Sequence, residues 1–164
     1  MLSDVSALFD NGAMTTPIAD RRIARRLVDA WARAARGRFP TWLAFQEMDL
    51  GEDWDWVFAV ELEKSIGFPY FIYLGENLAK LSDVYLSGDG DWTMTLLEKA
   101  ASDVYAAVAD EGPHFTEDTV TLCDGRRLLF RAVTVPLADD GENISHIIGA
   151  ANGRFAPKVQ LAAI

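Results

Sequence analysis

The stretch FTEDTVTLCDGRRLLFRAVTVPLADDGENISHIIGAAN, residues 115–152, contains three apolar runs separated by turn signals. An Asp-Gly pair between apolar runs favours a tight hairpin turn, because both residues tolerate the positive φ angles that such turns require. The turns fall at Asp124-Gly125 and at Asp139-Asp140-Gly141. The stretch therefore predicts a meander of three antiparallel strands: Phe115–Cys123, Arg126–Leu137 and Ile144–Asn152.

A second pair of strands is predicted upstream of this meander. Large apolar residues occupy every second position from Trp54 to Leu62, which indicates a strand with one buried face. A turn at residues 63–67 leads to a second strand, Phe68–Leu74. Pro69 stands near its start, where a missing backbone donor matters least. We expect the two strands to form a hairpin.

Three segments carry helical patterns. Asp20 is a suitable N-cap for a helix over Arg21–Arg36, which Gly37 ends. A short helix is predicted at Glu76–Leu81 and a longer one at Trp92–Ala109.

The first of these helices carries a narrow apolar stripe. Ile23, Leu27, Trp31 and Ala34 recur at helical spacing between arginines. Such a stripe must pack on something, either the sheet of the same chain or a second copy of the helix. Ile23, Leu27 and Trp31 are therefore candidates for a dimer interface.

The order of elements predicts an α+β domain. If the first strand lies beside the last, the strands form one five-stranded antiparallel sheet. Helices then cover one face, and the N-terminal helix packs outside or at a dimer interface. The expected divisions are a flexible arm at residues 1–19, one domain at 20–155 with its N-terminal helix at 20–36, and a tail at 156–164.

Composition excludes several classes of function. The chain has 164 residues, a formal net charge of −10 and one cysteine, Cys123. The negative charge argues against a general nucleic-acid surface, and one cysteine excludes an intrachain disulfide or a zinc site made of cysteine pairs. Neither a signal peptide nor an apolar run of about 20 residues is present, so we expect a cytoplasmic protein without a membrane span.

Positive charge is concentrated near the N-terminus, where seven of the fifteen Lys and Arg residues fall between residues 20 and 38. This basic helix could contact a nucleic acid or an anionic membrane, but no base-reading motif accompanies it. We favour a solvated helix face that attracts the acidic remainder of the domain or an acidic partner.

No set of residues forms a catalytic or metal-binding signature. The two histidines, His114 and His146, are too few for a transition-metal site, and no catalytic triad order or phosphate-binding loop is present. Acid pairs such as Asp53 and Asp55 share a predicted strand face and are interpreted as solvated. The sequence therefore predicts no catalytic residue and no metal.

Candidate ligand-binding residues lie in the predicted sheet and helices. Arg131 stands mid-strand among apolar residues, where a guanidinium needs an acid or a bound anion, and a cross-strand salt bridge is the simpler partner. His146 is expected to be partly buried with a hydrogen-bond partner. Bulky side chains could line a cavity between sheet and helix or fill a core there: Trp54, Trp56, Phe58, Tyr70, Ile72 and Tyr105.

The order of strands and helices resembles the PAS fold. Residue by residue, the chain resembles an alphaproteobacterial family of stand-alone PAS-like proteins that begin with a helix and a W-x-x-x-R-G-R-x-P segment. Here the segment comprises Trp31, Arg36-Gly37-Arg38 and Pro40, with one additional residue in the first gap. Further matching runs lie at residues 73–78, 131–137 and 146–150. The first hairpin and the segment after Leu81 depart from the pattern.

This resemblance implies a sensory or protein-interaction module in bacterial signal transduction, dimeric through its N-terminal helix and acting on a separate partner protein. It implies no reaction. Flavin photosensors of this fold carry a reactive cysteine in a helix after the second strand, and residues 75–82 contain none. Haem is not expected either, because neither histidine lies on the long predicted helix. The alternatives are a small α+β enzyme or carrier that holds an anionic ligand through Arg131, and a ligand-free scaffold.

Overall fold

The computed structural model describes residues 17–35, 38–67, 69–82, 85–87, 93–101, 104–122 and 125–157. The helices are α1 (Pro17–Ala34), α2 (Trp42–Gln46), a 3₁₀ helix (Gly51–Trp56), α3 (Glu76–Ser82), α4 (Leu96–Ala100) and α5 (Val104–Asp110). The strands are β1 (Val57–Glu61), β2 (Tyr70–Leu74), β3 (Tyr85–Ser87), β4 (Thr93–Thr95), β5 (His114–Thr121), β6 (Arg127–Leu137) and β7 (His146–Phe155).

The main sheet has five antiparallel strands in the order β2-β1-β7-β6-β5. Strand β1 pairs with β2 on one side and with β7 on the other, so that Ala59 lies opposite both Tyr73 and Ile148. The predicted five-stranded sheet, with the first strand beside the last, is confirmed. Strands β3 and β4 form a separate two-stranded sheet that the sequence analysis did not predict.

Side chains alternate between two apolar layers, one on each face of the main sheet. We call the layer against α3, α4 and α5 the inner cluster and the layer against α1 the outer cluster. The inner cluster includes Phe58, Leu78, Ala107, Phe130 and Ile147. The outer cluster includes Ile23, Leu27, Phe45, Val135 and Ile148. The sheet is thus a single layer shared by both cores.

Helix α1 begins four residues earlier than predicted, at Pro17, and ends at Ala34. Proline suits a first helical turn, because its missing N–H would lack an intrahelical partner there in any case. The predicted arm therefore loses residues 17–19 to the helix, and residues 1–16 lie outside the described part of the chain. The predicted tail also lies largely outside it, at residues 158–164.

The predicted first strand is wrong at its start, because Gly51–Trp56 forms a 3₁₀ helix and β1 begins at Val57. The Asp53 amide donates to the Leu50 carbonyl at 3.0 Å, and the indole of Trp54 donates to the Met48 carbonyl at 3.3 Å. These local hydrogen bonds stabilise the 3₁₀ helix, which includes residues 54–56 that the alternating pattern had predicted to be part of the strand. Asp53 also binds Arg26 of α1 through two bonds of 2.5 and 2.7 Å, and so does not lie on a solvated strand face.

The predicted long helix Trp92–Ala109 is also wrong, because the region is divided into β4, α4 and α5. Thr93 and Thr95 belong to β4, and β-branched side chains favour strands over helices. Helix α4 ends before Ala101, whose carbonyl accepts the Val104 amide at 3.3 Å. The apolar positions Leu97, Ala100, Val104 and Ala107 still face the inner cluster, as their spacing predicted.

The turn between β6 and β7 is organised by Asp140. Its Oδ1 accepts the amides of Glu142 and Asn143 at 2.8 and 2.7 Å, and its Oδ2 accepts the Asn143 side-chain amide at 2.8 Å. Ile144 and Ser145 lie between this turn and β7, which starts at His146 rather than at Ile144 and extends to Phe155. Hydrogen bonds, led by that from the Asn143 backbone, lower the pKa of Asp140 from 3.8 to about 2.

We expect the carboxyl ¹³C resonance of Asp140 to titrate with a midpoint of about 2. A carboxylate with a lowered folded-state pKa stabilises the fold above its unfolded pKa, and this contribution is lost as pH falls through the folded pKa. The Asn143→Ala variant loses the side-chain donor, so its midpoint should move upward toward 3.8. Equal midpoints in both proteins would contradict this turn geometry.

Candidate functional site

The side chain of Phe58 fills the inner face of the sheet beside β7. Its ring is fully buried, lies edge-on to Phe71 with centroids 5.9 Å apart, and covers Gly149. A Cβ atom at Gly149 would lie 2.4 Å from Cζ of this ring, closer than any ordinary contact. Trp56 packs against the inner cluster as well, and also reaches the outer one.

Ile72 faces the opposite side of the sheet from Phe58. The register of β1 against β2 shifts between Ala59 and Val60, which leaves Ile72 as an extra residue in β2. Both Ile72 and Tyr73 consequently pack against the outer cluster. The hydroxyl of Tyr73 donates to the Trp54 carbonyl at 2.9 Å, and burial, followed by the negative charge of Asp55, raises the pKa of Tyr73 above 10.0.

Tyr70 and Tyr105 lie at the periphery, around the turn between β1 and β2. Their exposed fractions are 46% and 56%. The Tyr70 amide donates to Oγ of Ser65 at 2.9 Å, and the Tyr105 hydroxyl donates to the Ser65 carbonyl at 3.4 Å. The ammonium group of Lys64 lies 5.2 Å from the centroid of the Tyr70 ring. Neither tyrosine lies in the inner cluster.

His146 is buried at the start of β7, more fully than the partial burial expected from the sequence, and Ser145 is its hydrogen-bond partner. Its Nδ1 lies 2.9 Å from Oγ of Ser145 and 3.7 Å from Oδ1 of Asp139. The Asp139 amide donates to the same Ser145 oxygen at 3.0 Å. Because both side chains approach one ring nitrogen, the three residues do not form a catalytic triad, in which the histidine uses both nitrogens.

The predicted ligand residues therefore do not line a single cavity. Phe58 is on the inner face, Ile72 and Arg131 are on the outer face, and the two tyrosines are at the rim. They are separated because the bulge in β2 directs Ile72 to the same face as Tyr73, and the alternation of β6 places Arg131 on the face opposite to Phe130. The seven candidate residues are thus distributed over both faces and the rim of the sheet, and a ligand-binding role for any of them stays a prediction.

Arg131 lies in a polar row across the outer face. In the strand register it stands between Glu117 of β5 and Asn152 of β7, and its Nε donates to Oε2 of Glu117 at 2.8 Å. The cross-strand salt bridge that the sequence analysis preferred is therefore present. Arg131 also borders a cleft of about 250 Å³ between α1 and β5, to which Arg25 and Phe115 contribute.

The stripe proposed for a dimer interface packs on the chain's own sheet. Ile23 and Leu27 are buried in the outer cluster, and the indole of Trp31 donates to the Pro136 carbonyl of β6 at 2.7 Å. These three residues are therefore occupied within one chain, which corrects their assignment to a dimer surface. A dimer through other residues stays a prediction.

The segment after α1 holds the β6–β7 turn in place. The amides of Arg38 and Phe39 both donate to the Gly141 carbonyl at 3.1 Å, and the Ala138 amide donates to the Pro40 carbonyl at 2.9 Å. The guanidinium of Arg38 binds the carboxylate of Glu111 near the start of β5. The matched tryptophan and proline thus have structural roles, while Arg36 and Gly37 lie outside the described residues.

Two further properties concern the described part of the chain. Its His, Cys, Asp and Glu side chains form no group of three or more that could hold a metal ion. No helix there is long and apolar enough to cross a membrane. Cys123 falls outside the described residues.

No known family model and no curated protein matches the chain. Solved structures with some similarity include the LOV domain of the photoreceptor aureochrome 1 (14% identity, 68% of this chain, 80% of that one, TM-score 0.42). The LOV domain of a fungal photoreceptor has 10% identity over 90% of this chain and 97% of that one, with a TM-score of 0.42. The PAS domain of BvgS from Bordetella pertussis has 16% identity over 65% of this chain and 76% of that one, with a TM-score of 0.34. At these values the similarities do not extend to function, and the resemblance to the alphaproteobacterial family stays a prediction.

Proposed function

We propose that this domain, which has a PAS-type α+β fold, is a non-catalytic sensory or protein-interaction module that acts on a separate signalling partner. The strand order β2-β1-β7-β6-β5, with helices α3 to α5 inserted between β2 and β5, supports the fold on which the proposal rests. The proposal retains the cytoplasmic location and the homodimer that the sequence suggested.

The observation that carries the proposal is that one sheet layer separates two apolar clusters. In β1, Phe58 and Val60 face the inner cluster, whereas Val57 and Ala59 face the outer one. Strands β6 and β7 alternate in the same way. Protein interiors are close-packed and transmit displacement, so a change against the inner face is expected to reach α1 on the outer face.

The inner face is the proposed place of input. A small apolar ligand, or a partner pressing on α3 to α5, would displace side chains around Phe58 and Trp56. We propose no flavin–cysteine chemistry, because residues 75–82 contain no cysteine. We propose no haem ligation, because His114 and His146 lie in strands rather than on the helices that cover the inner face.

Hydrogen–deuterium exchange on an inner-face variant tests this coupling. Ala107 of α5 is fully buried in the inner cluster, whereas Ala109 on the same helix is exposed. Both Ala→Val substitutions have a similar cost in helix propensity, so the pair forms a matched comparison. We expect Ala107→Val to speed amide exchange in α1 by about threefold or more, a change of at least about 0.6 kcal/mol in local opening, and Ala109→Val to leave α1 unchanged.

Native mass spectrometry of the full chain provides the second readout. A bound small molecule, released on denaturation and reducing exchange in both α1 and α5, would support a sensor. Unchanged exchange in α1 for Ala107→Val, together with a ligand-free mass, would overturn the sensory proposal, because neither input nor transmission would then be present.

A further inference from the structure

We propose that four arginines on the outer face form a docking surface for an extended acidic segment of a partner protein. This arginine patch consists of Arg25 on α1, Arg127 and Arg131 on β6, and Arg154 on β7. The inference deepens the proposed function and rests on it for the existence of a partner in trans.

The strand register brings the patch together. Leu128 and Phe130 face the inner cluster, so alternation along β6 directs Arg127 and Arg131 to the outer face. Arg154 lies opposite Leu129, between these two arginines. Its Cα is therefore a diagonal neighbour of both, at roughly 7–8 Å. Three guanidinium groups thus begin from adjacent positions on two paired strands.

The cleft beside α1 gives the patch a pocket. Arg25, Arg131 and Glu117 line this cleft of about 250 Å³ together with Phe115, whose exposed fraction is 58%. Arg131 is paired with Glu117, so Arg25 is the cation that the cleft offers beside an open aromatic ring, and together they fit a carboxylate side chain followed by an apolar one. Arg25 is exposed on α1 and can close over such a side chain from the solvent side.

Among the described residues, the patch carries more positive charge than the acids around it neutralise. Within the described residues, Glu117 is the acid paired with it, through Arg131, and no carboxylate lies within ion-pair distance of Arg25, Arg127 or Arg154. Asp29 follows Arg25 by one turn of α1 and forms no ion pair with it. The whole chain carries a net charge of −10, so this surface has the opposite sign to the molecule as a whole.

An acidic peptide fits this arrangement better than a nucleic acid. The acidic remainder of the chain repels a long polyanion, whereas a short segment interacts mainly with the patch itself. A peptide can place one carboxylate in the cleft and an apolar side chain on Phe115.

Fluorescence anisotropy with the full chain provides the test, using a fluorescein-labelled peptide of alternating glutamate and leucine. Arg25→Glu and Arg154→Glu should each weaken binding by about three- to tenfold, since each reverses an exposed charge at the interface. Glu117→Gln should strengthen binding by about threefold, because it releases Arg131 from its ion pair. Lys80→Glu, an equal charge change on exposed residue 80 of α3, should alter affinity by less than about twofold.

Several outcomes would overturn the docking surface. The surface would be rejected if Lys80→Glu weakened peptide binding as much as Arg154→Glu does, or if Glu117→Gln weakened it. It would also be rejected if a single-stranded DNA bound more tightly than the peptide, or if a peptide with glutamine in place of glutamate bound equally well. Full displacement by millimolar inorganic phosphate would indicate a small-anion site instead. A cellular partner that binds Arg25→Glu and Arg154→Glu as well as the wild type would leave the proposed function intact and reject this surface alone.

Discussion

Replacing Phe58 by alanine is expected to lower the free energy of unfolding by about 3–5 kcal/mol, as for other fully buried phenylalanines. The ring is fully buried, packs edge-on against Phe71, and covers the backbone of Gly149. Its loss leaves a cavity in the centre of the inner cluster. Equilibrium denaturation in urea, with the slope checked for constancy, measures this effect.

The contact with Gly149 provides a stricter test through a double-mutant cycle. Alone, Gly149→Ala places a Cβ atom 2.4 Å from the Phe58 ring and should cost about 1–3 kcal/mol. In the Phe58→Ala background that atom enters the cavity, so we expect the cost of Gly149→Ala to fall by at least about 1 kcal/mol. Gly112→Ala, whose Cβ would lie 3.8 Å from the nearest atom, is the control and should change stability by about 0.5 kcal/mol or less. Additive effects of Phe58→Ala and Gly149→Ala would contradict the packing.

Leu27→Ala in α1 is expected to cost about 2–5 kcal/mol, because Leu27 is buried against the outer face of the sheet. The matched control is Leu43→Ala in α2, where the same side chain is 68% exposed and about 0.5 kcal/mol or less is expected.

A small effect of Leu27→Ala, comparable with that of Leu43→Ala, would mean that α1 is not part of the folded core. The stripe on α1 would then be free for a second subunit, as the sequence alone allowed. Light scattering on both variants separates these outcomes, since loss of a dimer would accompany loss of an interfacial leucine.

The strands could be predicted because their signals are local. Turn residues at Asp124-Gly125 and Asp139-Asp140-Gly141, and alternation in the runs between them, identify β5, β6 and β7 to within a few residues. The sequence analysis also expected β1 to pair with β7, although the two strands are far apart in the sequence, and the strand order of the sheet confirms this pairing. Alternation does not distinguish a strand from a neighbouring 3₁₀ turn, which is why Trp54 and Trp56 were assigned to β1.

The helical region between β2 and β5 was harder to predict. Its apolar positions repeat at helical spacing across α4 and α5, so the pattern cannot locate the break near Ala101. The two-stranded sheet of β3 and β4 has three residues in each strand, which is too short for a periodic signal.

The candidate site shows the same division between local and distant information. Arg131 and its salt bridge followed from one charged residue among apolar ones, whereas its partner depends on the register, because a two-residue turn at Asp124-Gly125 would place Asp118 opposite Arg131 and the observed register places Glu117 there. The bulge at Ile72 leaves no signal in a uniformly apolar strand, so the sequence pattern does not show that Ile72 packs on the outer face. The arginine patch was missed, although the spacing of Arg127 and Arg131 on one strand face was a usable signal.

The pairing of β1 with β7 is the central claim of this account, and nuclear Overhauser effects between backbone protons test it most directly. We expect cross-strand contacts from Val57–Glu61 to His146–Ala150 in an antiparallel register, with Ala59 opposite Ile148. We also expect contacts from β1 to β2, with Phe58 opposite Leu74. Contacts from β1 to β2 alone, with none to β7, would place the first hairpin outside the closing meander and contradict the five-stranded sheet on which the proposed function rests.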